Sequence, residues 1–231
     1  GDEGPKQLVA DLREIMSIAV EDGIECDLDA LKANPIREEM EYGGTRLKTF
    51  AYLERTRIPV TIDIGFGDAL AHPSHELTYP TLLDLPPPDI RAYPPATVIA
   101  EKFQAMVQLG IANGRMKDYY DLWAMPQALD VSDDELDAAI AATFARRGTE
   151  IPTDRPPGLS EEMAQDDTKQ GQWAAYAESI DLEKVSLEEP IETIWSKAAP
   201  ACKRIPPSTR RYRSPPQARL SRRRFTRRTR S

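Results

Sequence analysis

Two runs of alternating apolar and polar residues lie between helical patterns, and this change of period constrains the fold more than any other feature of the chain. Residues 45–53 and 58–64 have the period of two that is typical of strands with one buried face. The polar residues 54–57 between them predict a turn, and hence an antiparallel hairpin. Asp63 is then expected on the face opposite the isoleucines. The residues expected on the apolar face are Leu47, Thr49, Ala51, Leu53, Ile58, Val60, Ile62 and Ile64.

Helical periodicity surrounds this hairpin, so the fold class predicted is α+β. A helix is predicted from Pro5 to about Asp22, because apolar residues recur there at spacings of three and four before a stop at Gly23. The proline-rich residues 72–95 predict an ordered connection without regular structure. Further helices are predicted over 95–112, 115–125 and 132–147, the last with a capping box at Ser132–Glu135, and weaker helical patterns lie at 160–180 and 190–199.

The charge is divided unequally along the chain. Residues 201–231 contain twelve of the 30 Lys and Arg residues and no acidic residue, whereas the first 200 residues hold 18 basic and 38 acidic side chains. A body with a net charge of −20 repels phosphate backbones, so a nucleic-acid role requires a local basic site or the tail. The Arg-, Ser-, Pro- and Thr-rich tail has little to bury and is predicted to be disordered. It is either a tail without function, such as an out-of-frame read-through, or an RNA-contacting arm.

Cysteine usage and hydropathy indicate a cytoplasmic protein. Cys26 and Cys202 are too far apart in sequence to suggest a disulfide framework or a zinc motif, which fits a reducing compartment. No apolar run reaches the roughly 18 residues of a membrane span, and the polar start is not a signal peptide. The chain also lacks a GKS or GKT phosphate loop, a nucleophilic serine elbow and a dinucleotide fingerprint.

Three places could carry chemistry. Asp63 lies mid-strand among β-branched residues and is either a solvent-facing carboxylate or one that binds a cation, backbone amides or a metal ion. Lys102 lies beside the apolar stripe of its helix and is either a lysine that reaches past that stripe to solvent or a functional ammonium group. Asp118 and Asp121 share a helix face with Lys117 and follow Arg115, which suits either a surface ion-pair network or the positioning of a proton acceptor or phosphate-binding lysine.

A family resemblance rests on four segments in a fixed order. These are Ile62-Asp63-Ile64, Tyr79-Pro80-Thr81-Leu82-Leu83, Glu101-Lys102-Phe103-Gln104-Ala105 and, most specific of all, Arg115-Met116-Lys117-Asp118-Tyr119-Tyr120-Asp121-Leu122-Trp123. Together, over roughly residues 1–150, they resemble the AbiEii/AbiGii nucleotidyltransferase toxin family. That family is the toxin half of type IV toxin–antitoxin and abortive-infection systems.

The resemblance implies a polymerase-β-like nucleotidyltransferase core, with a partial antiparallel or mixed sheet and flanking helices, followed by a helical C-terminal region. The domains expected are a partial core at 1–93, a helical region at 94–200 and the disordered basic tail at 201–231. Asp63 matches the third carboxylate that binds Mg²⁺ in that family, and Lys102 matches a lysine that contacts the triphosphate. Lys117, Asp118 and Asp121 match the fourth motif, in which an aspartate acts as general base or positions the lysine, and Arg115 adds positive charge. These residues are expected to converge on one cleft.

The function implied is transfer of a nucleoside monophosphate from a nucleoside triphosphate to RNA, plausibly tRNA, by a toxin with a cognate antitoxin and no membrane partner. The family's first motif, a glycine turn, an Arg and DxD, should lie before the first helix, but residues 1–4 are Gly-Asp-Glu-Gly. The chain alone is therefore expected to be inactive, because one aspartate does not replace three in a two-metal site. The alternatives are a degenerate relative that binds nucleotide, RNA or antitoxin without catalysis, and a generic helical interaction domain.

Overall fold

The computed structural model describes residues 3–36, 44–65 and 75–210. The chain forms two compact units, Gly1–Asp68 and Ala69–Ser231. This division falls earlier than the domain boundary expected between residues 93 and 94. The elements of the first unit are α1 (Glu3–Met16), β1 (Ile24–Cys26), β2 (Lys32–Ile36), β3 (Gly44–Leu53) and β4 (Thr56–Gly65).

The first unit is built on a four-stranded antiparallel sheet with β3 at its centre. β4 pairs with one edge of β3, and β1 and β2 pair with successive parts of the other edge. The predicted hairpin is confirmed, but its turn has two residues rather than four, since Leu53 lies opposite Thr56. Leu47, Thr49 and Ala51 are buried as predicted. One face of the sheet therefore forms the core of this unit, and the other face is open.

The first helix is shorter than predicted. It ends at Met16 rather than near Asp22, because the Ser17 hydroxyl donates to the Glu14 carbonyl oxygen at 2.7 Å and β-branched Ile18 and Val20 follow. Ile15 is 58% exposed and does not belong to the buried stripe that its spacing predicted. The helix thus buries a narrower face than the sequence pattern indicated.

The second unit is mainly helical. Its only strands in the described part of the chain, β5 and β6, pair antiparallel within the segment that was predicted to have no regular structure. That prediction was wrong because the prolines at 80 and 86–88 lie between the two strands, so neither strand contains a proline. The elements are β5 (His75–Thr78), β6 (Asp89–Ala92), α2 (Pro95–Leu109), α3 (Met116–Ala128), α4 (Asp133–Arg146), α5 (Glu161–Gln165), α6 (Asp167–Ser179), α7 (Glu188–Arg204) and α8 (Pro207–Arg210), with single 3-10 turns at Gly110–Ala112 and Pro157–Leu159.

The core of the second unit lies between α2, α3, α4 and α7. Phe103, Tyr119, Phe144 and Ile191 are almost completely buried there, and the rings of Phe103 and Phe144 lie 5.5 Å apart. The predicted capping box of α4 is confirmed, because the Ser132 and Glu135 side chains each bond to the other's backbone N–H. None of the helices in the described ranges is long and apolar enough to cross a membrane.

The predicted start of the disordered tail at residue 201 was wrong for the residues that the structure describes. α7 continues to Arg204 and α8 reaches Arg210, while residues 211–231 lie outside the described part of the chain. Ala201, Cys202 and Ile205 are buried, and Arg204 makes a bidentate ion pair with Asp137 at 2.7 and 2.8 Å. Composition averaged over 31 residues hid this apolar stripe, because the arginines beyond it dominate the average.

Candidate functional site

The N-terminal half of α3 carries the charged side chains of the most specific sequence motif. Tyr119 and Leu122 are buried on the core side of this helix. The Asn113 side-chain oxygen accepts the backbone N–H of Arg115 at 3.0 Å and so fixes the chain just before the helix begins. Because the buried residues are three apart, the positions just before each of them fall together on the neighbouring helix face. Asp118 and Asp121 occupy these positions and face α2.

Lys102 of α2 lies between these two carboxylates. Its Nζ atom is 2.5 Å from Asp118 Oδ1 and 2.8 Å from Asp121 Oδ2. All three side chains are less than 20% exposed. Lys102 is therefore not a lysine extended into solvent, as the simpler interpretation of its sequence position proposed. The structure brings together three of the predicted site residues that lie up to 19 positions apart.

The pKa values of the cluster follow from its burial and hydrogen bonding. Burial lowers the pKa of Lys102, but the hydrogen bonds to Asp118 and Asp121 outweigh that effect, and the net pKa is raised. Burial raises the pKa of Asp121, but the hydrogen bonds from Lys102 and Lys117 outweigh it, and the net pKa is lowered. The ammonium group and the Asp121 carboxylate are therefore both charged at neutral pH.

A groove of about 670 Å³ opens beside this cluster. Lys117 lines it and also bonds Asp121 at 2.7 Å, while Arg115 lines it and reaches Asp118 only at 4.0 Å. Both cations are well exposed and lie at the start of α3, where the helix dipole also favours an anion. Arg115 and Lys117 therefore give the groove positive charge, and the Asp118 carboxylate, which is paired with Lys102, lies in the same lining.

The opposite wall of the groove comes from α6, which the sequence analysis did not connect with the site. Gln172 and Tyr176 line it, and the Tyr176 ring lies 6.0 Å from that of Tyr120. Burial and then the nearby Asp121 carboxylate raise the pKa of Tyr176. The weak helical pattern at 160–180 gave no signal for these residues, because they are separated from Asp121 by more than 50 positions.

Asp63 lies in the first unit, on the open face of the sheet as predicted. Both of its carboxylate oxygens accept hydrogen bonds from Arg46 across the β3–β4 ladder, at 2.7 and 2.6 Å. The hydrogen bond from Arg46 lowers the pKa of Asp63. Its convergence with Lys102 on one cleft stays a prediction.

The described residues do not form a magnesium site as they stand. Arg46 occupies both oxygens of Asp63, and no three His, Cys, Asp or Glu side chains of the described ranges cluster so as to hold a metal ion. One Asp-x-Asp sequence, which the sequence analysis did not weigh, occurs at Asp27–Asp29 after β1. There Asp27 closes a turn by accepting the Ala30 backbone N–H at 2.9 Å. Binding of Mg²⁺ stays a prediction from the resemblance.

Comparison with known protein families identifies a match over most of the chain. A family model described as "Nucleotidyl transferase AbiEii toxin, Type IV TA system" matches residues 1–197. No curated protein and no solved structure matches the chain. The family match runs from the first residue into α7 and includes every predicted site residue, which confirms the resemblance drawn from the four sequence segments.

Proposed function

The chain belongs to the AbiEii nucleotidyltransferase toxin family of type IV toxin–antitoxin systems, and from this premise we propose that it transfers a nucleoside monophosphate from a nucleoside triphosphate to RNA, with tRNA as the acceptor. Membership implies a nucleotide substrate and a cognate antitoxin. The mixed α+β architecture with antiparallel sheets is consistent with the family. A polymerase-β-like core in residues 1–93 is part of the proposal.

The observation that supports this proposal most is the position of Lys102. An ammonium group has three N–H donors, and Asp118 and Asp121 accept two of them. In the proposed complex, the third donor binds a phosphate oxygen of the triphosphate. Since both carboxylates fix the ammonium group before substrate arrives, little side-chain entropy is lost when the phosphate binds.

The same geometry separates the two roles proposed for Asp118. The Asp118 Oδ1 atom already accepts a hydrogen bond from the Lys102 ammonium group at 2.5 Å, so this oxygen is poorly placed to accept the proton of an attacking hydroxyl. We therefore assign Asp118 and Asp121 as positioning residues for Lys102. Arg115 and Lys117 line the groove, where they would neutralise phosphate charges of the triphosphate.

Asp63 is proposed as the remaining carboxylate of the site. In this role it would help to hold Mg²⁺, which supplies charge neutralisation on the triphosphate when it is bound. Because Arg46 bonds both oxygens of Asp63, no step of the reaction is assigned to the metal. The chain's own residues bind the triphosphate through Lys102, Arg115 and Lys117 and hold the lysine in place through the aspartates.

Nucleotide binding tests this assignment directly. We expect the 231-residue chain to bind radiolabelled nucleoside triphosphate in equilibrium dialysis, and Lys102→Ala to weaken binding at least tenfold, because the fixed ammonium group is lost. Lys197→Ala, which removes the same charge from an exposed position on α7, is the matched control and should not change the affinity. Equal affinity of the two variants would contradict the assignment of Lys102.

Transfer is tested by labelling tRNA from each α-³²P nucleoside triphosphate with magnesium. The resemblance assigns only Asp63 of the three carboxylates that such a site needs, so we expect no labelling by the 231-residue chain alone. Where the source gene encodes a glycine turn, an Arg and DxD upstream of Gly1, the extended chain should label tRNA. Asp63→Ala or Lys102→Ala should then reduce labelling by orders of magnitude.

A second candidate function is nucleotide, RNA or antitoxin binding without catalysis. It is favoured by the bidentate Arg46–Asp63 pair, which uses the carboxylate that the enzyme would need. Triphosphate binding without labelling by any extended chain would support this function. Robust labelling that survives Asp63→Ala would contradict both the catalytic assignment of Asp63 and the carry-over from the family.

A further inference from the structure

The open face of the four-stranded sheet in the first unit carries four cations against two exposed carboxylates, Glu25 opposite Tyr52 and Asp63 opposite Arg46, so its net charge is positive. β2, β3 and β4 place four cations and two aromatic rings on this face, which we call the basic face. All four cations are exposed, and both rings are half-buried. Its residues are Lys32, Arg46, Lys48, Phe50, Tyr52 and Arg57.

Two of these cations are opposed in a way that costs stability. Lys32 and Lys48 lie directly opposite each other in the antiparallel β2–β3 ladder. Like charges at such positions repel, since the Cβ atoms of a directly opposed pair are only about 5 Å apart. Neither ammonium group makes an ion pair with a carboxylate of the described residues, although Lys48 contributes to lowering the pKa of Asp63. A ligand with closely spaced negative charges would relieve this repulsion.

The two arginines of the basic face are engaged within the sheet. Arg46 holds Asp63, and the Arg57 guanidinium lies 3.4 Å from the centre of the Phe50 ring. These contacts engage both arginines within the sheet, whereas the two lysines make no ion pair with a carboxylate of the described residues. Tyr52 lies two residues beyond Phe50 on β3 and thus on the same face. The face therefore presents anchored planar groups next to two lysines.

The negative charge of the rest of the chain makes the cations of the basic face more significant. The first 200 residues have a net charge of −20, and an anionic surface excludes polyanions except where cations gather. Recognition of an acidic protein partner would need only the cations and would leave the aromatic rings without a role. Aromatic rings and stacked guanidinium planes on an open sheet beside those cations suit a ligand that has both phosphates and flat bases.

We propose that the basic face binds single-stranded RNA, with Lys32 and Lys48 on the phosphate backbone and the Phe50–Tyr52 segment of β3 against the bases. The inference rests on the proposed function in one respect, that RNA is the acceptor. It assigns the RNA a docking surface on the first unit, whereas the groove lined by Arg115 and Lys117 belongs to the second unit. Binding is measured without nucleoside triphosphate, so a failure of the docking surface is distinguishable from a failure of transfer.

The first test compares affinities for a fluorescent 12-nucleotide single-stranded RNA by anisotropy, using the full 231-residue chain. Lys32→Gln/Lys48→Gln should weaken binding at least tenfold and reduce the salt slope of log K by about 1.4, or about 0.7 for each lost phosphate contact. Arg13→Gln/Lys197→Gln removes the same charge from exposed positions on α1 and α7 and is the matched control. The lysine variant should be as stable as the parent or more stable, because it removes a repulsion.

The second test locates the RNA, since the arginine-rich C-terminal residues add affinity in every variant. Photo-crosslinking with 4-thiouridine RNA, followed by mass spectrometry, should recover peptides that contain Phe50 or Tyr52. Crosslinks confined to residues 211–231, or equal affinities for the lysine variant and its control, would overturn the proposal. Inorganic polyphosphate of equal charge that binds as tightly as the RNA would also overturn it, since bases would then contribute nothing.

Discussion

Replacing Lys102 with methionine should destabilise the second unit far more than replacing Lys117. Lys102→Met keeps the length and the apolar stem of the side chain but leaves Asp118 without its nearest cation. Asp121 keeps its hydrogen bond from Lys117 at 2.7 Å, and Arg115 is 4.0 Å from Asp118. The variant therefore isolates the contribution of the ammonium charge that lies between Asp118 and Asp121.

The magnitude follows from the exposure of the groups. Removing one partner of a fully buried ion pair costs roughly 3–5 kcal/mol. The three groups here are 15–19% exposed and two cations remain nearby, so we expect a loss of about 2–3 kcal/mol. Lys117 is 70% exposed and pairs within one helix turn, so Lys117→Met should cost at most about 0.5 kcal/mol.

The assay is urea unfolding followed by tryptophan fluorescence. All three tryptophans, Trp123, Trp173 and Trp195, lie in the second unit, so the signal reports its unfolding alone. The lowered pKa of Asp121 means that its contribution is present above about pH 4 and is lost as the pH falls through the folded-state pKa. The difference between Lys102→Met and the parent should therefore shrink below about pH 4. A Lys102→Met cost no larger than that of Lys117→Met would refute the reasoning.

Two further predictions concern other parts of the second unit. A chain that ends at Pro200 should lose at least about 3 kcal/mol relative to one that ends at Arg210, because it lacks the buried Ala201, Cys202 and Ile205; equal urea midpoints for the two chains would contradict the packing of α7. Tyr119→Phe should cost about 1–2 kcal/mol at pH 7, because the Gly158 carbonyl oxygen loses the hydroxyl that donates to it at 2.7 Å. Burial raises the pKa of Tyr119, so this contribution is present below about pH 10 and is lost as the pH rises further; a Tyr119→Phe penalty that persists unchanged at pH 11 would contradict that assignment.

The open face of the sheet shows what the alternation of apolar and polar residues can predict and what it cannot. A period of two was enough to place Asp63 on the face opposite the isoleucines. Its partner depended on the turn, because the predicted four-residue turn would have placed Lys48 opposite Asp63. The observed two-residue turn, with Glu54 at a φ of 54°, shifts the register and brings Arg46 there instead. The length of the turn, two residues rather than four, therefore decided which side chain pairs with the Asp63 carboxylate.

The short strands could not have been predicted from their own residues. β1 and β2 have three and five residues, which is too few for alternation to be recognised, and both form because β3 offers them an unpaired edge. The opposition of Lys32 and Lys48 is a consequence of that pairing. It was invisible in a sequence where the two lysines lie 16 positions apart.

The sequence by itself determined the features that depend on neighbours along the chain: the hairpin, the capping box of α4, the charge imbalance and the Arg115–Trp123 motif that indicates the family. Only the tertiary structure decided that Lys102 meets Asp118 and Asp121, that Tyr176 joins their groove, and that Cys202 is buried. The physical reason is that ion pairs and burial between helices depend on the angle and distance at which the helices pack. These depend on the shapes of the core side chains in contact, which the periodicity of one segment does not specify.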